Sequence, residues 1–178
     1  MTDPLRAFLA PLYQDLDGIS RLEEIDRISS IARRLHHADE FFERLLLFHG
    51  LGRWLEKVGN RSRTSLATGI PESELRAISA SIRRLDDPQT GAERAIAAAR
   101  LIDTAGVRGL AERFARARRE GESLMDVVRD VLADSWIPEW LPENGRAWLE
   151  QRHEARRAVC KRLLTEIALD DIDATLIP

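Results

Sequence analysis

Apolar residues recur every three or four positions along most of the chain, a spacing that places them on one face of an α-helix. One run begins with Pro4, and proline is common at the first position of a helix. Another run, which ends at Phe48, is apolar on nearly all sides. We expect helices over residues 3–16, 20–35, 38–48, 71–85, 90–102, 110–119, 124–132 and 145–169. No segment alternates apolar and polar residues with the period of two typical of a strand, so no strands are expected.

Signals between these runs support the same division. Ser20 with Glu23, and Thr90 with Glu93, have the spacing of a capping box, in which two residues at a helix start satisfy each other's backbone N–H groups. Residues 50–69 lack helical periodicity and are expected to be the least regular stretch. The glycines within 106–109 predict a turn or a close contact between helices.

The chain has 178 residues, which is long enough for one domain with a sizeable core. No internal repeat and no linker is visible in the sequence. The pattern therefore predicts one all-α domain over residues 1–178, a helical bundle with its core over 20–168. Residues 170–178 are expected to form a short, frayed acidic tail.

Composition and charge narrow the class of protein. The net charge of −3 argues against nucleic-acid binding, because contact with a phosphate backbone usually needs a basic excess. Cys160 is the only cysteine, which excludes an intrachain disulfide and a zinc site built on several thiolates, and we expect it to be buried and inert. No apolar stretch approaches the roughly 20 residues of a membrane span. We expect no leader peptide, no membrane association and a cytoplasmic location.

One stretch carries a family resemblance. Residues 45–53 read Leu-Leu-Leu-Phe-His-Gly-Leu-Gly-Arg. This resembles the centre of the HD phosphohydrolase superfamily, in which such a run ends in His-Asp and both side chains bind metal. Here His49 stands at the His position and Gly50 at the Asp position. A later series, in the order found in a subgroup of HD hydrolases, extends the similarity over about residues 20–168: Glu93, Asp103, Gly106, Gly109 and Phe114.

The resemblance implies a metal site that has lost most of its ligands. It aligns Glu24 with the first metal-binding His, with Asp26 as the nearby alternative, and places another family His near Arg84 or Leu85. The last metal-binding Asp falls at Arg100, or at Ala98 if the first Asp of that stretch is counted. Arginine stays protonated and has no lone pair to donate, so we expect no metal cofactor. The alternative is a divalent ion such as Mn, Fe, Ni or Zn held through His49.

Arg100 and His49 are each open to more than one interpretation. Arg100 is a residue of a solvated helix face, the partner of Glu24, Asp26 or Asp103 inside the former metal cavity, or a ligand for a phosphate or carboxylate. His49 is a hydrogen-bonded core residue, or else a ligand or base. These residues, His49, Arg100, Glu24, Asp26 and Asp103, are the candidates for a ligand pocket.

Other polar and aromatic residues support simpler interpretations. His37 and Glu40 are three residues apart and are a weak metal pair, so a helix junction with a polar start is preferred there. His153 lies among arginines and is expected at the surface. The tryptophan cluster near Pro138 and Pro142 is expected to close the core, with a partner surface as the alternative: Trp136, Trp140 and Trp148.

The leading hypothesis is a binding or interaction protein on a degenerate HD-like fold, with no catalytic residues. Its former active-site cleft either holds a small anionic ligand as a partner or is filled by side chains. The alternative is an active phosphohydrolase that acts on nucleotides or phosphate esters through substitute metal ligands: His49, Glu24, Asp26, His36, His37 or Asp103. A third hypothesis is a structural module that forms a homodimer through the tryptophan connector and the final helix.

Overall fold

The computed structural model describes residues 4–14 and 21–175, with side chains up to residue 167. The protein is all-α, and the described residues contain no β-strand, as the sequence pattern predicts. The helices are α1 (Pro4–Leu9), α2 (Leu22–Leu35), α3 (Glu40–Phe48), α4 (Gly52–Leu55), α5 (Val58–Thr68), α6 (Glu72–Arg83), α7 (Gly91–Ala105), α8 (Val107–Glu120), α9 (Leu124–Ala133) and α10 (Glu143–Thr175). A 3₁₀ helix over Ala10–Tyr13 follows α1 directly. In the described part of the chain, no helix is both long enough and apolar enough to span a membrane.

Backbone contacts group the chain into two compact units, Met1–Arg100 and Leu101–Pro178. Each unit has a hydrophobic core of its own. The extent of a single domain over residues 1–178 stays a prediction.

The core of the first unit is built around α3 and α6, which pack against each other. The side chains of Phe42, Leu45, Leu46 and Phe48 in α3 are completely buried, which explains why this run is apolar on nearly all sides. Helix α2 packs on α3, while α4 and α5 pack on α6. The buried end of α3 brings His49 into the interior of this unit.

The expectation of an irregular stretch over residues 50–69 is wrong, because most of it forms α4 and α5. The buried residue of α5 is Thr64, whose hydroxyl donates to the carbonyl of Asn60 at 2.8 Å, whereas Leu66 is 89% exposed. Apolar periodicity therefore gives no sign of this helix. It ends at Gly69, which adopts a left-handed conformation (φ 74°) that suits glycine.

The capping box at the start of α7 is confirmed. The Thr90 hydroxyl accepts from the Glu93 N–H at 3.2 Å, and the Glu93 carboxylate accepts from the Thr90 N–H at 3.1 Å. The predicted box of Ser20 with Glu23 falls partly outside the described residues, because Ser20 lies there.

The second unit packs α8, α9 and α10 against one another. Its core contains Leu110, Val127, Val128 and the fully buried Cys160. Helix α10 continues to Thr175, so the expectation of a frayed tail is wrong for residues 170–175. No glycine or proline occurs between positions 146 and 177, so nothing in the sequence stops the helix earlier. Residues 176–178 lie outside the described part of the chain.

The predicted close contact at residues 106–109 is present at the junction of α7 and α8. Gly106 is the N-cap of α8 and Gly109 lies in its first turn. A Cβ atom on Gly109 would lie 1.8 Å from the Thr104 carbonyl oxygen, far inside van der Waals distance. Only glycine fits this position without movement of the backbone.

Candidate functional site

His49 ends helix α3 as its C-cap and is only 7% exposed. Its Nδ1 lies 2.7 Å from the Leu46 carbonyl oxygen. A carbonyl oxygen can only accept, so Nδ1 carries the proton and Nε2 keeps its lone pair when the ring is neutral. His49 is therefore a buried, hydrogen-bonded residue, as one of the two interpretations of the sequence predicts. Its role as a ligand stays a prediction.

Burial lowers the pKa of His49 below its usual range. The hydrogen bond with Leu46 opposes that effect, the positive charge of Arg100 adds to it, and the negative charge of Glu24 opposes it. The ring is consequently neutral near pH 7. These interactions also show that His49, Arg100 and Glu24 lie close enough together to interact electrostatically.

Tyr13 fills the space beside Gly50. A Cβ atom on Gly50 would lie 2.8 Å from the Tyr13 ring carbon Cε1 and 3.4 Å from the Ile25 side chain. The Tyr13 hydroxyl donates to the Leu47 carbonyl at 2.5 Å. Burial raises the pKa of Tyr13 far above its usual range, so the phenol stays neutral. A buried ring, held by its hydrogen bond to Leu47, thus excludes a side chain at position 50.

Two of the acidic candidates, Glu24 and Asp26, are engaged in ion pairs. The Glu24 carboxylate accepts from the Arg21 guanidinium at 2.9 Å and 3.1 Å. Asp26 accepts two hydrogen bonds from Arg6, at 2.7 Å and 2.5 Å, and this contact lowers its pKa. Arg100 is exposed on α7. Asp103 lies one turn further along that helix and is half-buried.

The histidine pair after α2 belongs to a helix junction, as the sequence interpretation prefers. The His36 ring packs edge-on against Phe42 with ring centres 4.9 Å apart. Asp39 caps α3 by accepting from the Phe42 N–H at 2.7 Å, and Glu40 pairs with Arg44. Within the described residues, no three His, Cys, Asp or Glu side chains form a group that could hold a metal ion. The expectation of no cofactor stays a prediction.

Glu93 is a buried carboxylate that pairs with the partly exposed guanidinium of Arg84. The Glu93 side chain is completely buried, and it accepts from Arg84 Nη2 at 2.5 Å and Nε at 3.1 Å. Burial raises the pKa of Glu93, but the hydrogen bonds from Arg84, Gln89, Ser81 and Thr90 outweigh it and lower the pKa to about 2. Arg84 is one of the two positions that the resemblance aligns with a family His, and here its positive charge stabilises a carboxylate.

The expectation of a surface position for His153 is wrong, because this residue is only 6% exposed. It faces a cavity of about 510 Å³ in the second unit, together with Arg113, Arg116 and Arg156. The sequence holds a signal that points to its burial. His153 lies four residues after Leu149 and seven before Cys160, on the helix stripe that both of these buried residues mark.

The three tryptophans of the predicted cluster differ in burial, and core closure by Trp140 and Trp148 stays a prediction. Trp136 is 62% exposed, so core closure is wrong for this residue, while Trp140 and Trp148 are half-buried. The homodimer expected as an alternative stays a prediction.

Comparison of the chain with protein-family models, with curated proteins and with solved structures found no significant match. The resemblance to the HD superfamily therefore stays an expectation from the sequence.

Proposed function

We propose that this protein is a binding protein on a degenerate HD-like helical fold, with no metal-dependent hydrolysis. The observation that carries the proposal is the Tyr13 ring packed against Gly50. At the position that the resemblance gives to a metal-binding carboxylate, a neutral phenol occupies the space and a side chain does not fit. The Tyr13 ring fills the space of the former ligand, so a carboxylate from elsewhere in the chain cannot take that place.

The remaining donors support the same proposal. A divalent ion needs several lone-pair donors within about 2–2.5 Å of one point. The carboxylates of Glu24 and Asp26 already bind arginines, so metal binding would break both ion pairs. Arg100 and Arg21 also place positive charge near His49, which opposes a cation there. His49 Nε2 is then left as an isolated donor.

The same positive charge favours a small anion as the ligand. Arg100 is exposed and its guanidinium has the planar arrangement of donors that binds phosphate or carboxylate oxygens. We infer that a phosphate-containing or carboxylate-containing small molecule binds beside His49 and Arg100. Binding of this ligand distinguishes a binding protein from a purely structural one.

Metal analysis of the purified protein tests the first half of the proposal. After incubation with Mn, Fe, Ni or Zn and removal of excess ion, we expect elemental analysis to find far less than one equivalent of any of them. A near-stoichiometric ion that is lost in His49→Ala but kept in the exposed control His37→Ala would contradict the proposal. So would hydrolysis of nucleotides or phosphomonoesters that needs both a divalent ion and His49.

Anion binding tests the second half. We expect inorganic phosphate or a nucleoside monophosphate to raise the melting temperature more than sodium chloride of equal ionic strength. Arg100→Gln should abolish the difference, whereas Arg94→Gln, an exposed arginine on the same helix, should retain it. An equal response of both variants to phosphate would show that the anion does not bind at Arg100.

A further inference from the structure

The second unit contains a cavity whose lining combines one apolar wall with a set of hydrogen-bond donors. Its volume of about 510 Å³ is within the range typical of small-molecule sites. One face of α10 contributes Leu149, His153 and Arg156, and one face of α8 contributes Arg113 and Arg116. This cavity is separate in its residues from the His49 site, and the inference does not depend on the fold resemblance.

His153 is the most unusual residue of this lining. His153 is only 6% exposed, and no hydrogen bond to its ring is found among the described residues. Its ring nitrogens are not among the fully buried atoms that lack a partner, so they keep access to the cavity, where water or a ligand can bind them. Because the ring borders the cavity, an occupant of the cavity can supply that partner.

The arginines of the lining differ in how far they are already satisfied. Arg113 binds Glu122 through two hydrogen bonds of 2.5 Å and 2.6 Å, and Arg156 binds Asp134 at 2.7 Å. Arg116 has no ion pair or hydrogen bond with any residue that the structure describes. The Arg116 guanidinium and the buried Nε of Arg156, which has no partner among the described residues, therefore remain to bind a ligand.

The charges of the cavity limit the charge of its occupant. Three arginines are matched there by three carboxylates, those of Glu112, Asp130 and Asp134. These charges balance, so nothing in the lining offsets the two charges of a phosphate dianion. A single carboxylate carries one charge and needs only the donors that are still unpartnered. Arg116 and the Arg156 Nε can only donate, and a neutral His153 ring has one donor nitrogen, so acceptor oxygens on the ligand would satisfy all three.

The rest of the lining is apolar and suits a hydrophobic ligand body. Leu110, Val131 and Leu149 are buried side chains at the cavity wall, and Trp136 covers part of it with an exposed indole ring. Burial of apolar ligand surface against such a wall stabilises a complex by roughly 25 cal/mol per Å². Inorganic anions gain nothing from this wall, whereas an organic acid does.

We propose that this cavity binds a small organic monocarboxylate with an apolar body, with the carboxylate bound by Arg116 and His153 and the body against Leu110, Val131, Leu149 and Trp136. The carboxylate supplies acceptors to two groups that otherwise have none. The apolar body excludes water from the wall.

Isothermal titration calorimetry of the full chain with phenylacetate, phenylacetamide and acetate tests this proposal. Phenylacetamide keeps the apolar body and lacks the charge, while acetate keeps the charge and lacks the body. We expect phenylacetate to bind with a Kd at least about 10-fold lower than that of either analogue. The amide loses the charge-assisted hydrogen bonds, and acetate loses the contact with the apolar wall.

Variants of one helix locate the site. Arg116→Gln should raise the Kd for phenylacetate by about 10-fold, whereas Arg119→Gln, an exposed arginine on the same helix outside the cavity, should leave it unchanged. His153→Gln, checked for folding by circular dichroism, should weaken binding in the same direction. Since Arg116 is exposed, its variant can be expected to fold whatever happens to the histidine variant.

Three results would overturn the proposal. The first is equal affinity for the acid and the amide, which would show binding by apolar contact only. The second is an unchanged Kd in Arg116→Gln, which would place the ligand elsewhere. The third is the absence of measurable binding for both phenylacetate and a longer aliphatic acid such as octanoate.

Discussion

Glu93 is a completely buried carboxylate that joins a helix start to a neighbouring arginine. It accepts from the backbone N–H groups of Gln89 and Thr90 at 2.9 Å and 3.1 Å, and from two nitrogens of Arg84. These donors favour the ionised form strongly enough to overcome burial, so the pKa lies at about 2. A carboxylate with this many donors contributes to stability as well as to the start of α7.

We predict that Glu93→Gln lowers the free energy of unfolding by about 2 kcal/mol at pH 7, because a buried charged acceptor of several hydrogen bonds is lost. The folded pKa of about 2 lies below the usual value of 4.5, so this stabilisation is complete above pH 4.5 and declines as the pH falls toward 2. Urea unfolding at pH 7 and at pH 3 measures the difference.

The matched control is Glu43→Gln, which removes a carboxylate from an ion pair with Arg33 at the surface. Such a pair contributes less than about 1 kcal/mol. Equal losses in the two variants would show that burial of Glu93 adds nothing.

Single residues of the site were predictable to different degrees. The Thr90–Glu93 capping box follows from spacing alone, since both partners lie within one turn of a helix. Tyr13 and Gly50 are 37 positions apart in the sequence, and no periodic pattern indicates that a ring from one fills the space beside the other. The ion pair of Arg6 with Asp26 is missed for the same reason.

At the scale of elements, glycine decides whether two helices can approach. We predict that Gly109→Ala destabilises the protein by about 3 kcal/mol, because the new methyl group meets the Thr104 carbonyl at 1.8 Å and the backbone must move. Thermal or urea unfolding followed by circular dichroism measures the change.

Gly59→Ala is the control for this substitution. Gly59 also lies in a helix, and no atom lies within 4 Å of a Cβ placed there. We expect a neutral to stabilising effect of up to about 1 kcal/mol, because alanine favours the helical backbone. A similar loss of stability in both variants would attribute the effect to backbone freedom and not to the contact with Thr104.

Elements were predictable where their buried stripes are apolar. Helices α3, α6 and α9 bury Phe, Leu, Ile and Val at helical spacing, and the sequence predicts each of them within a few residues. Helix α5 buries Thr64 and satisfies it through Asn60, so its sequence looks like a loop. The prediction for the end of α10 is wrong for another reason. Acidic composition alone does not end a helix, and no helix breaker is present there.

For the whole molecule, two buried histidines tie stability to pH. Burial lowers the pKa of His49 and of His153, so both rings are neutral in the folded protein and gain a proton more readily in the unfolded chain. The stabilisation is complete above the unfolded pKa of about 6.5 and is lost as the pH falls from there toward the lowered folded values.

We therefore predict a falling melting temperature between pH 7.5 and pH 5, a range above the usual titration of carboxylates. The double variant His49→Gln, His153→Gln should flatten this dependence, as differential scanning calorimetry can show. The exposed His37→Gln is the control and should keep the wild-type slope. A double variant with an unchanged slope would mean that other groups cause the pH dependence.

The fold class was predictable for the whole molecule, whereas its division was not. Helical periodicity without strand alternation is enough to predict an all-α protein. The same periodicity marks which face of a helix is buried, but not which helices share a core. The core of the first unit extends to Ala99 and that of the second begins at Leu110, although α7 runs unbroken from Gly91 to Ala105.

The single cysteine of the chain lies wholly inside the packing of α8, α9 and α10. Burial also raises the pKa of the Cys160 thiol, with Arg156 opposing this effect, so little of the reactive thiolate exists while those helices stay packed. A thiol-directed dye added to the unmodified protein therefore reacts only during transient openings of this unit. The rate of labelling therefore reports how often this unit opens. No probe has to be introduced, and the first hundred residues, which contain no cysteine, give no signal.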